Sequence, residues 1–69
     1  MIPKVLRLPA VKSMTGLSRS SIYQKIIDGD FPRSILLGPR TVGWLESEVA
    51  AWIQAKVAES QIRDPDSAR

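Results

Sequence analysis

Residues 14–27, Met-Thr-Gly-Leu-Ser-Arg-Ser-Ser-Ile-Tyr-Gln-Lys-Ile-Ile, have the pattern of the turn and second helix of a helix-turn-helix. Gly16 is expected to end a short helix, because glycine adopts the left-handed conformation without steric strain. Leu17 is expected to fill the corner, and Ser18 to cap the next helix by accepting a backbone hydrogen bond. The pattern therefore predicts two short helices that meet at residues 16–18.

The second of these helices presents polar side chains to solvent. It is predicted to run from about Arg19 to Asp28, with Ile22 and Ile26 four residues apart on its inner face. An α-helix fits the major groove of DNA, and Arg and Gln side chains offer paired hydrogen-bonding groups to guanine and adenine. The candidate contacts to bases and nearby phosphates are Arg19, Ser20, Tyr23 and Gln24, and the candidate DNA-backbone contacts are Ser18, Lys25 and Arg40.

The segment before the corner predicts a short strand followed by the first helix. Residues 5–8, Val-Leu-Arg-Leu, are extended in character. Pro9 is favoured at the first position of a helix, which is expected to span residues 9–15. Its apolar residues are Leu8, Val11 and Met14.

After the second helix the apolar pattern changes to alternation, which predicts a β-hairpin of the wing type over residues 33–44. Ile35 and Leu37 lie before a turn at residues 38–40, Gly-Pro-Arg, and Val42 and Trp44 lie after it. Gly43 lies inside the second strand, where glycine indicates a bulge or a close backbone approach.

A third helix is predicted from Glu46 to about Gln61, with an apolar stripe of Val49, Trp52, Ile53 and Val57. Residues 62–69 are polar and interrupted by proline, so we expect a disordered tail. The predicted fold class is mainly α with a small β-hairpin wing, a winged helix-turn-helix over residues 5–61 of a single domain, 1–69.

The residue types present point away from catalysis. The chain has no Cys and no His, which removes disulfides, thiolate chemistry and the usual zinc and haem ligands. Asp28 and Asp30 flank a turn glycine and Glu46 and Glu48 open a helix, so capping and the helix dipole explain these carboxylates. We expect no enzymatic activity, no metal and no cofactor.

The basic charge lies in the same part of the chain as the predicted helix-turn-helix. Residues 1–45 carry seven basic and two acidic side chains, whereas residues 46–69 carry three basic and five acidic ones. This distribution suits a protein that places one face against phosphates. No apolar run approaches the roughly 20 residues of a membrane span, and residues 1–4 lack the order of a signal peptide. We expect a cytoplasmic, nucleoid-associated bacterial protein that does not enter membranes.

The order of these motifs resembles the AlpA family of phage and prophage regulators. The motifs, spread over about residues 6–56, are Leu-Pro-x-Val, Thr-Gly-Leu-Ser-Arg-Ser-Ser-Ile-Tyr, Gly-Asp-Phe-Pro, Leu-Gly-Pro-Arg and Gly-Trp-Leu-Glu-Ser-Glu-Val-x-x-Trp-Ile. The resemblance implies a MerR-like winged helix-turn-helix, related to small excisionases, that binds double-stranded DNA in a sequence-specific way. It places residues 18–20, 23 and 24 on the recognition helix and residues 38–40 at the tip of the wing.

Three functions remain open at this stage. The resemblance favours a transcriptional regulator of prophage or mobile-element type, with an excisionase that bends DNA for an integrase as the alternative. Expected partners are DNA, an integrase or RNA polymerase, and further copies of the chain bound cooperatively. A protein-interaction adaptor is the third function, and the basic residues 1–45 argue against it. Trp44 and Trp52 lie on apolar stripes, which favours core packing over the stacking of single-stranded nucleic acid.

Overall fold

The structure is a computed structural model that describes residues 2–63. Three helices combine with a three-stranded antiparallel sheet in the order β1-β3-β2. In chain order the elements are β1 (Val5–Leu6), α1 (Leu8–Thr15), α2 (Arg19–Ile27), β2 (Ile35–Gly38), β3 (Thr41–Leu45) and α3 (Glu46–Arg63). This architecture confirms the predicted winged-helix-like class. The expected tail begins within the last turn of α3, and residues 64–69 lie outside the described residues.

The corner between α1 and α2 forms as its residue types predict. Gly16 has a left-handed φ of 74°, and its N–H donates to the carbonyl of Lys12 at 2.8 Å. The Thr15 hydroxyl donates to the Val11 carbonyl and accepts from the Leu17 N–H. The Ser18 Oγ accepts from the Ser21 N–H at 3.2 Å, which satisfies one of the free donors at the start of α2. These local bonds fix the direction in which α2 leaves the corner.

The core takes one buried side chain from each of β1, α1, α2, β3 and α3 and one from the segment between α2 and β2. Its buried members are Leu6, Val11, Ile22, Phe31, Trp44 and Val49. The indole Nε1 of Trp44 donates to the carbonyl of Pro32 at 3.1 Å, so β3 is tied to the segment that follows α2. Trp44 is thus confirmed as a core residue, and Trp52 packs its half-buried ring edge-on against the buried Phe31 at 4.9 Å between centroids.

Gly43 allows β1 to lie close to β3. A Cβ atom at this position would lie 2.5 Å from Val5 Cγ1 and 3.0 Å from the Leu6 carbonyl oxygen. The predicted close approach is therefore confirmed at Gly43, whereas the irregularity of the hairpin lies in β2, between Leu36 and Gly38.

Four residues of the predicted apolar patterns are exposed, namely Met14 and Val57 on helices and Ile35 and Leu37 on β2. Met14 is 40% exposed, because positions 8, 11 and 14 spread over about 120° of the helix circumference and Met14 lies at the edge of that arc. Val57 is 51% exposed and lies in the second half of α3, where only Lys56 among residues 54–61 is half-buried. Val49, Trp52 and Ile53 are the residues of α3 that meet the core.

Candidate nucleic-acid interface

The outward face of α2 is polar at its start and centre. Arg19, Ser20 and Gln24 are exposed, whereas Ile22 is buried and Ile26 packs against the core. Because the inner face is held by packing and the first turn by the Ser18 cap, the outward side chains project from a fixed backbone. The structure therefore brings three of the predicted base-contacting residues together on one rigid surface.

Tyr23 joins this surface to the core. Its half-buried ring meets Trp44 edge-on, with centroids 6.3 Å apart and an interplanar angle of 66°. The Arg19 guanidinium lies over the same ring, 5.5 Å from its centroid. An exposed cation–π contact of this kind contributes about 0.5–1 kcal/mol. The Arg19 side chain is thus held against the Tyr23 ring, and its charge stays open to solvent.

The end of α2 is held by side-chain pairs. Gln24 Nε2 donates to Asp28 Oδ1 at 3.1 Å, which orients the amide on the outward face. Lys25 Nζ lies 3.8 Å from one carboxylate oxygen of Asp30, and Lys56 Nζ lies 3.0 Å from the other. Exposed pairs of this kind contribute about 0–1 kcal/mol, so Lys25 can exchange Asp30 for another anion at little cost.

The wing tip holds Arg40 in an unusual backbone conformation. Pro39 and Arg40 connect β2 to β3, and Arg40 has a φ of 60°, which is the left-handed region. A proline followed by a positive φ is typical of a type II turn, whose second central residue is usually glycine or asparagine. The Thr41 hydroxyl donates to the Pro39 carbonyl at 3.2 Å. The exposed Arg40 side chain therefore projects from the tip of the hairpin.

The remaining predicted site residue, Ser18, already uses its hydroxyl in the fold. Its Oγ accepts from the Ser21 N–H and donates to the Ser21 Oγ at 3.1 Å. A DNA contact by Ser18 therefore stays a prediction that requires this bond to be shared.

Sequence reasoning missed Ile27 as a member of the outward face. It lies three residues after Gln24 and seven after Ser20, which is the spacing of one helix face, and it is largely exposed. That spacing was the signal available in the sequence, but an isoleucine beside Ile26 is easily assigned to the core.

No group of side chains among residues 2–63 has the composition of a metal site. None of the described helices has the length and apolar character needed to cross a membrane.

Comparison with known proteins gives three matches. The family model of the prophage CP4-57 regulatory protein (AlpA) matches residues 4–57. The chain is 47% identical over 55 residues to an uncharacterized protein, ORF88, of Enterobacteria phage P4, covering 80% of this chain and 62% of that protein. It is 37% identical over 59 residues to the DNA-binding transcriptional activator AlpA of Escherichia coli K12, covering 77% of this chain and 84% of that protein. The chain thus spans less than two thirds of the phage P4 relative.

Proposed function

The chain belongs to the AlpA family of prophage regulatory proteins, and on that premise we propose that it binds double-stranded DNA sequence-specifically and regulates transcription. The observation that carries the proposal is the outward face of α2, where Arg19, Ser20 and Gln24 are exposed on a capped helix anchored in the core. The printed name of the Escherichia coli relative, a DNA-binding transcriptional activator, supports it.

In the proposed complex α2 lies in the major groove. An α-helix is about 10–12 Å in diameter with its side chains and fits the groove of about 12 Å, and the nine residues of α2 span about 13 Å along its axis. Arg19 pairs with a guanine, Gln24 with an adenine, and Ser20 and Tyr23 contact bases or nearby phosphates. The Asp28 carboxylate orients the Gln24 amide by accepting a hydrogen bond from one of its N–H groups. The amide oxygen and the second N–H group remain for a base.

Contacts to the DNA backbone come from the flanks of this surface. Lys25 leaves Asp30 for a phosphate, Ser18 shares its hydroxyl at the start of α2, and Arg40 reaches the backbone or minor groove from the wing. α2 and the wing are linked through the contact between Tyr23 and Trp44, so we expect them to bind as one unit.

We also propose that several copies bind to the DNA together and that a second protein contacts them. A single module of this size buries about 600–1,000 Å² of protein surface on DNA, which favours repeated sites and cooperative binding. We expect RNA polymerase or an integrase to contact the DNA-bound copies.

Selection from a pool of random duplexes tests the proposed function. The full chain is incubated with the pool, bound duplexes are amplified over several rounds, and the affinity of the product is measured by fluorescence anisotropy with competitor DNA. We expect enrichment of a defined sequence and binding that weakens as salt rises. Retention of random sequences without enrichment, or no binding at 50 mM salt, contradicts the proposal.

A further inference from the structure

Ile27 is exposed on the same face of α2 as Ser20 and Gln24. At about 100° per residue, these three positions fall within about 60° of the helix circumference. The Ile27 side chain is 77% exposed, whereas its neighbour Ile26 packs against the core. Isoleucine is also a poorer helix former than alanine, lysine or glutamine, because its branched side chain loses rotamer freedom. Neither packing nor helix propensity therefore accounts for an isoleucine at this position.

Resting on the proposed function, we infer that Ile27 contacts the 5-methyl group of a thymine in the major groove. Thymine presents a methyl group there, and apolar side chains are the groups that contact it. The polar side chains of the outward face would then recognise bases through hydrogen bonds. Ile27, at the end of that face, would select an A·T pair. Ile27 is thus a specificity-determining residue.

The placement of Ile27 along the helix fits this contact. It lies seven residues after Ser20, about 10 Å along the helix axis, which corresponds to about three base pairs at 3.4 Å each. The face can therefore contact neighbouring base pairs. The chain continues into Asp28 and Asp30, whose carboxylates repel phosphates. Gln24 and Lys56 bind these carboxylates within the protein. Beside them, the apolar Ile27 side chain suits base contact better than backbone contact.

Removing the 5-methyl group of single thymines in the DNA tests the inference. In the duplex obtained by selection, each thymine is replaced singly by 2′-deoxyuridine, which keeps the hydrogen-bonding groups and lacks only the methyl. Affinities are measured for the wild-type chain, for Ile27→Ala, and for the control Val57→Ala. Val57 is a matched control because it is also a β-branched, exposed side chain, placed on α3.

The expected result is one thymine at which the replacement weakens wild-type binding by about fourfold, the effect of one buried methyl group. The Val57→Ala variant should show the same loss of affinity when that thymine is replaced. Ile27→Ala should bind the thymine and deoxyuridine duplexes equally at that position, while its thermal melting matches or exceeds that of the wild type.

Two outcomes overturn the inference, and they differ from failure of the proposed function. Either no thymine is sensitive to loss of its methyl group, or Ile27→Ala keeps the full sensitivity. In both cases sequence selection by the wild-type chain leaves the proposed function standing. A chain that selects no sequence at all overturns the proposed function and this inference together.

Discussion

Replacing Arg40 with glycine should stabilise the fold and weaken DNA binding at the same time. Arg40 holds a φ of 60°, which costs a residue with a Cβ roughly 1–2 kcal/mol relative to the right-handed region. Glycine removes that strain, but its greater conformational freedom in the unfolded chain lowers the free energy of unfolding by about 0.5–1 kcal/mol. The net expectation is a gain of about 0.5–1 kcal/mol in the free energy of unfolding, which raises Tm by about 2–8 °C in a domain of this size.

The same substitution removes the positive charge at the wing tip. Loss of one phosphate contact should weaken binding by about 1 kcal/mol, or about fivefold, on selected and random duplexes alike. The slope of log K against log salt should fall by about 0.9. A side chain kept in a strained conformation at the cost of stability suggests a binding role.

Two further variants separate strain from charge. Arg40→Ala keeps the strained backbone and loses the charge, so it should bind like Arg40→Gly but melt like the wild type. Arg40→Lys should retain most of the binding. Melting is followed by circular dichroism and binding by fluorescence anisotropy over a range of salt concentrations. If Arg40→Gly binds DNA with the wild-type affinity and salt slope, the wing does not contact the backbone and the reasoning fails.

Substitutions at Arg19, at the two tryptophans and at Gly43 test the other structural assignments. Arg19→Ala should lower the preference for the selected duplex by about 1–3 kcal/mol and relax base choice at one or two positions, and an equal loss on random DNA would show a phosphate contact only. Trp44→Ala should unfold the domain through a loss of about 3–5 kcal/mol, whereas Trp52→Ala should be milder because its ring is half-buried, and thermal melts of both variants check this order. Gly43→Ala should destabilise by about 1–3 kcal/mol through the 2.5 Å approach to Val5. Val5→Ala should recover part of that loss in a double-mutant cycle, and simple additivity would contradict the clash.

The helices and turns were predictable where a residue type acts on its own backbone. Pro9 in the first turn of α1, left-handed Gly16 and the Ser18 cap each depend on atoms within a few residues. The alternation around Val42 and Trp44 similarly predicted the hairpin, because side chains of a strand alternate between its faces. Local chemistry was therefore sufficient for the order and type of the elements.

Exposure and side-chain pairing depended on contacts between distant parts of the chain. Val57 continues the apolar spacing of α3, yet only the first half of the helix meets the core. Lys56 and Asp30 are 26 residues apart, so their ion pair has no signal in local spacing. That pair also engages the carboxylate that binds Lys25, so the surroundings of a predicted DNA contact depend on α3.

The most direct measurement compares Gln24→Ala with Gln54→Ala in the ratio of affinities for the selected and random duplexes. Both glutamines are exposed on helices, Gln24 on the outward face of α2 and Gln54 on α3. If the face of α2 selects the DNA sequence, Gln24→Ala should lower the ratio by about 5–150-fold, the effect of losing 1–3 kcal/mol of base discrimination. Its affinity for random DNA and its melting temperature should stay unchanged, and Gln54→Ala should keep the wild-type ratio. Equal ratios for the two variants would contradict the account.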